Sequence, residues 1–164
     1  MNELIIPNSY NYVGIFLCFT CQLKCSYCIN RELGYKPNYK TLPDKDWINA
    51  LNRIDTQPDL PITLCGGEPT CHPHFYDIVN GIHKDIPLDL LTNCQFNVDE
   101  FIEKISPDRF KRDAPYASIR VSYHPQTMEL HDTIQRVIRL RDLGYSIGVW
   151  IVNVPWDKMI PYYQ

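Results

Sequence analysis

The chain has 164 residues, 45% of them apolar and 21% charged, and 16 basic against 19 acidic residues give a net charge of -3. That balance excludes a disordered or fibrous chain and gives no overall electrostatic footprint for nucleic acid or an anionic membrane. The length fits one domain over 1–164, and no apolar run approaches the ~18 residues of a membrane span.

Met1-Asn2-Glu3-Leu4-Ile5-Ile6-Pro7 lacks the basic start and long apolar run of a secretion signal. The seven cysteines are an odd number, so reduced thiols in a cytoplasmic protein are expected rather than disulfides. Val13 to Phe19 is a short apolar run that predicts a buried strand, with a cysteine-rich loop at its end. Asp44 to Ile54 predicts a helix, with Trp47, Ile48, Leu51 and Ile54 at helical spacing after Pro43-Asp44. Ile62 to Leu64 predicts the second strand, and a second helix runs from about Pro73 to His83 with Phe75, Ile78, Val79 and Ile82 on one face.

Leu88 to Thr92 predicts the third strand, Val98 to Ile105 a helix with Asn97 as its N-cap, and Ala117 to Ser122 the fourth strand. The clearest helix covers Thr127 to Leu143, with Leu130, Ile134, Val137, Ile138 and Arg141 on one side and Gly144 as its stop. Tyr145 to Val152 closes the pattern as a fifth strand. Strand and crossover helix in alternation call for a parallel sheet with right-handed connections. In such sheets reactive groups gather at the carboxyl ends of the strands. The cysteines, Glu68, Asn93, and Ser122 with His124 all fall there.

Cys21-Gln22-Leu23-Lys24-Cys25-Ser26-Tyr27-Cys28 places three thiols within eight residues, one ligand short of tetrahedral closure. A four-iron cluster takes one thiolate per iron, so three protein ligands leave one iron with an open position. The competing reading is a zinc site completed by Cys18 or a histidine, although no second ligand pair of the usual spacing is present. Gly66-Gly67-Glu68-Pro69 follows the second strand. An ordinary turn would also use these residue types, since glycine permits positive φ and proline fixes its own.

The two motifs, in this order and each just past a predicted strand, resemble the signatures of the radical S-adenosylmethionine (radical SAM) enzymes over roughly Tyr12 to Pro155. The resemblance implies an α/β fold, a partial, open (β/α) TIM-like barrel with a parallel sheet. Of the usual six βα units, five are expected here. It implies that Cys21, Cys25 and Cys28 hold a [4Fe-4S] cluster whose open iron chelates S-adenosyl-L-methionine. Reductive cleavage of that cofactor would give a 5′-deoxyadenosyl radical that takes hydrogen from a substrate the sequence does not name. A reductant such as flavodoxin or ferredoxin is the implied partner, with no membrane and no nucleic acid.

By the same resemblance Gly66, Gly67, Glu68 and Pro69 serve the methionine amino group, with Glu68 either holding it or bracing the turn. Thr92 and Asn93 stand where the family usually reads Thr-Asn-Gly, with Cys94 replacing the glycine. Ser122 takes a position that often meets the methionyl or ribose part. Arg120 shares a face with Ser118 and Ser122 if alternation holds; it then either meets an anion inside the barrel or lies on the outer surface.

Two further readings stay open: a small activase that installs a glycyl radical on a partner, and a non-catalytic iron-sulfur electron-transfer protein. Five units and an apolar, aromatic end from Trp156 to Gln164 suggest a fragment of a longer protein, or else a minimal enzyme whose last strand a partner covers. His72-Pro73-His74 reads as a helix start, and His124 as a loop histidine or a ligand contact. Arg136, Arg139 and Arg141 read as a solvated face, Trp47 and Trp150 as core, and Cys65, Cys71 and Cys94 as buried thiols more than an auxiliary site.

Overall fold

The structure is a computed structural model and describes residues 3–32, 34, 41–56 and 60–151. Five strands, β2 (Val13–Cys18), β4 (Ile62–Gly66), β5 (Leu88–Thr92), β6 (Ile119–Tyr123) and β7 (Ile147–Ile151), form one sheet in the order β2-β4-β5-β6-β7. Every pair is parallel, so each neighbour is reached by a crossover and all five carboxyl ends point the same way. The sheet is open at β2 and β7, as a partial barrel requires. A separate parallel pair, β1 (Leu4–Ile5) with β3 (Ile54–Asp55), lies outside it.

Alternation along the strands divides the sheet into two faces. Leu17, Ile62, Leu64, Leu88, Leu90, Ile119 and Val121 enter a core closed by Leu51 of α2 (Asp44–Leu51), Phe75, Ile78 and Val79 of α3 (Phe75–Gly81), Phe101 of α4 (Val98–Lys104) and Leu140 of α5 (Leu130–Asp142). Each fully buried side chain of this size contributes about 1.5–3 kcal/mol. Phe101 is the hub of the helix side, with its ring stacked on Phe96 at 4.5 Å. The other face carries Thr63, Cys65, Asp89, Leu91, Arg120 and Ser122, and forms the inner wall of the partial barrel.

The expected elements are present, with boundaries moved for physical reasons. Helix α2 stops at Leu51, and Ile54 pairs with Leu4 instead of extending it. Asn52 ends the helix and ties it to the next one, donating to the Gly81 carbonyl at 3.0 Å and accepting from the His83 amide at 2.8 Å. Asn97 caps α4 by accepting from the Asp99 and Glu100 amides. At the end of α5, Gly144 takes φ +89° and its amide donates to the Arg141 carbonyl.

Helix α5 and strand β7 each correct an expectation. Its buried line is Thr133, Val137 and Leu140, while Leu130, Ile134 and Ile138 are exposed. A threonine can be buried there because its hydroxyl donates to the Glu129 carbonyl at 2.9 Å. Trp150, expected in the core, is 45% exposed on the edge strand β7. Of the expected fifth strand, Val152 lies outside the described residues, as does Trp156 to Gln164. No helix among the described residues is long and apolar enough to cross a membrane.

Candidate functional site at the carboxyl ends of the strands

Strand β2 ends at Cys18 and releases the cysteine loop directly above the sheet. The turn after β4 is then locked against the start of that loop. The Gly67 amide donates to the Cys18 carbonyl and the Glu68 amide to the Thr20 carbonyl, both at 2.8 Å. Both glycines are required by this contact: a Cβ on Gly66 would stand 2.3 Å from the Cys18 carbonyl oxygen, and one on Gly67 would stand 2.4 Å from that of Thr20. Gly66 also has φ +134°, which side chains rarely adopt. Asn30, past the last cysteine and in the short helix α1 (Ile29–Glu32), closes the loop by donating to the Gly66 carbonyl at 3.2 Å.

Glu68 is 1% exposed and braces the site. One carboxylate oxygen accepts from the Thr70 amide, the Thr70 hydroxyl and the Thr92 hydroxyl, and the other accepts from the Asn93 amide at 2.7 Å. Burial pushes its carboxyl above the usual range, opposed by these four donors. The bonds join the glycine turn to the end of β5. Asn93 accepts in turn from Gln22 at 3.2 Å and turns its amide nitrogen toward the Cys21 sulfur at 3.6 Å.

A second set of bonds ties the cysteine loop to the segment after β6. The Tyr27 hydroxyl meets His124 Nδ1 at 3.0 Å, Ser26 donates to the Gln126 side chain at 2.9 Å, and the Cys25 sulfur meets the Thr127 hydroxyl at 3.5 Å. Burial holds His124 below its ordinary value, so the neutral imidazole is favoured. Gln22, Asn30, Gln126 and Thr127 carry no motif in sequence; their common signal is position, in or beside the loops at the carboxyl ends of β2 and β6.

Cys21, Cys25, Cys28, Gly66, Gly67, Glu68, Thr92, Asn93 and Ser122 all line one cavity of about 690 Å³, together with His124. Pro69 and Arg120 do not line it: Pro69 opens the 3-10 turn Pro69–Cys71, and Arg120 lies deeper, against Asp89. Cys65 lines the cavity floor, whereas Cys94 is fully buried in the helix-side core with φ +59°, the backbone state a glycine would hold without strain. Cys71 lies outside this cavity, its thiol donating to Gln22 at 3.1 Å. His72 is a turn element, accepting the His74 amide on Nδ1 at 3.1 Å.

All seven cysteines are free thiols. Among the described residues no three Cys, His, Asp or Glu side chains are gathered closely enough to hold a metal ion. The donor set still fits a cluster: three thiols from one loop share a cavity with room for a second group, and that cavity is lined by more apolar than polar surface. Burial pushes the Cys21 thiol up to about 11, and coordination would replace the S–H bond by an S–metal bond, with the proton released to solvent.

An open α/β sheet with a three-cysteine loop and a glycine turn at its carboxyl edge defines a class. The family model of the radical SAM superfamily matches residues 15–149, and the chain belongs to that superfamily. It is also similar to GTP 3′,8-cyclase of Nostoc sp. (strain PCC 7120 / SAG 25.82 / UTEX 2576), at 30% identity over 78 residues. That match covers 46% of this chain and 24% of the cyclase.

Proposed function

We propose that the protein is a radical SAM enzyme that cleaves S-adenosyl-L-methionine reductively and takes a hydrogen atom from a substrate held inside the open barrel. One observation carries this reading: the three thiols, the glycine turn, Asn93 and Ser122 converge on one cavity of about 690 Å³. Cys21, Cys25 and Cys28 would hold a [4Fe-4S] cluster with one open iron, and Gly66, Gly67, Glu68, Thr92, Asn93 and Ser122 would surround the cofactor, with Pro69 fixing the turn that follows. When bound and reduced by a donor such as flavodoxin or ferredoxin, this pair supplies a 5′-deoxyadenosyl radical.

The chain's own contribution is position and exclusion. Glu68 ties the end of β5 to the glycine turn after β4, which sets the position of Asn93 relative to that turn. Tyr27 and His124 brace the cysteine loop against the segment after β6 and cover one side of the cavity. A neutral His124 adds no charge beside the thiols. A bound cofactor and substrate filling this partly apolar cavity would displace water that could otherwise quench a radical.

The test is product formation. Anaerobically reconstituted protein with a strong reductant should convert S-adenosyl-L-methionine to 5′-deoxyadenosine and methionine slowly, even without substrate, and the Cys25→Ala variant should not. Cluster-loaded protein that yields no deoxyadenosine would instead be an electron carrier.

A further inference from the structure

Arg120 projects from β6 into the barrel interior, and the charges around it do not balance. Asp89 is fully buried, and Arg112 holds it in a two-point fork, Nε to Oδ1 at 2.9 Å and Nη2 to Oδ2 at 3.0 Å. Such a fork satisfies both oxygens of a carboxylate. Arg120 reaches the same carboxylate only from the side, Nη2 to Oδ2 at 3.3 Å, with a long contact to the Thr63 hydroxyl at 3.4 Å. Among the described residues no other carboxylate pairs with either arginine. Two guanidiniums against one carboxylate leave one positive charge over.

Geometry points the excess the same way. Arg120 Nε is buried and has no hydrogen-bond partner, a costly state for a donor on a charged group. The Tyr116 ring lies over both guanidiniums, at 4.7 Å from Arg112 and 5.2 Å from Arg120, so that face of each is taken by an aromatic ring. A fifth of the Arg120 side chain is still accessible. In the strand register Arg120 stands opposite Leu91, which lines the cavity floor with Cys65, and Ser122 is the next residue of β6 on the same face. Arg120 therefore lies one layer beneath the space assigned above to the cofactor.

We propose that Arg120 receives an anionic group of the substrate, a carboxylate or a phosphate, in the barrel interior below the cofactor cavity, its guanidinium only partly engaged because Arg112 already takes both oxygens of Asp89. This rests on the reading of that cavity given under the proposed function. The anion would supply the missing countercharge and occupy the free edge of the guanidinium, which presents planar donors suited to either group. A reacting carbon attached to it would sit between Arg120 and the cofactor.

The test uses the 164-residue chain as purified, titrated by calorimetry with inorganic phosphate and, separately, with acetate. At least one anion should bind saturably, and the tighter of the two assigns the group. Arg120→Gln should weaken that binding at least tenfold, and Arg120→Lys, which keeps the charge and loses the fork, should fall between. Asp89→Asn should tighten it at least threefold, because it removes the competing carboxylate. Damage to folding would weaken binding in every variant, so the opposite signs separate recognition from structure. No saturable binding of either anion, equal binding by Arg120→Gln, or weaker binding by Asp89→Asn would overturn the proposal. Deoxyadenosine formation by the unsubstituted protein, measured in parallel, reports on the cofactor reading alone.

Discussion

Strands β4 and β7 are equally apolar in sequence, Ile62-Thr63-Leu64-Cys65 against Ile147-Gly148-Val149-Trp150-Ile151, yet their surroundings differ sharply. Ile62 and Leu64 are fully buried between two strands and the helix layer, whereas Val149, Trp150 and Ile151 are 48%, 45% and 46% exposed at the edge. The candidate site follows the first region. Its cysteine loop, glycine turn and Asn93 hang from β2, β4 and β5, and only Ser122, His124 and the loop's partners come from β6. Burial and hydrogen bonding are concentrated on the side that carries the candidate site. The β7 and α5 side, with Leu130, Ile134 and Ile138 also exposed, carries an apolar surface without adding a residue to the cavity.

Substitution in each region should expose this contrast most strongly. Leu64→Ala, at a fully buried position, should cost about 2–5 kcal/mol of unfolding free energy, while Val149→Ala should cost less than about 1 kcal/mol. Guanidinium denaturation of both variants measures it; equal losses would mean that the edge is as tightly held as the centre.

A smaller effect is expected at Glu68, where the central region meets the site. Glu68→Gln keeps the shape but turns an amide nitrogen toward donors that now meet a carboxylate, leaving at least one of them unpaired. The expected loss is about 1–3 kcal/mol, together with slower formation of deoxyadenosine. A Glu68→Gln protein as stable and as active as the parent would show that the brace is dispensable.

The smallest effect is a pH dependence from His72, which is 2% exposed beside the glycine turn. Burial holds it below the ordinary value of 6.5, so the unfolded chain binds this proton more readily than the folded one. Its contribution is fully present above pH 6.5 and is lost as pH falls below that value, because protonating Nδ1 also removes the acceptor for the His74 amide. Thermal unfolding between pH 8 and 5 should therefore fall less steeply for His72→Asn, which keeps an acceptor and does not titrate, by about 1 kcal/mol or less. Identical slopes would remove His72 from the account.

The parallel strand and helix order was legible in sequence because apolar periodicity and local capping signals agree, as at Asn97 and Gly144. The cysteine loop and the glycine turn were legible because close backbone packing and ligand chemistry restrict residue type. What was not legible depended on distant partners. Nothing local tells that Glu68 spends its carboxylate on Thr70, Thr92 and Asn93, or that Arg120 faces inward to a carboxylate already held by Arg112. Helix α5 misled for a related reason: its apolar residues form two stripes, and only tertiary packing decides that Thr133, Val137 and Leu140 form the buried one.

Iron and acid-labile sulfide content after anaerobic reconstitution, followed by the electron paramagnetic resonance spectrum of the reduced protein with and without S-adenosyl-L-methionine, tests the central claim most directly. The account predicts about four irons per chain, none in Cys25→Ala, and a spectrum that changes when the cofactor is added. One zinc per chain with no iron uptake, or a cluster whose spectrum ignores the cofactor, would contradict it.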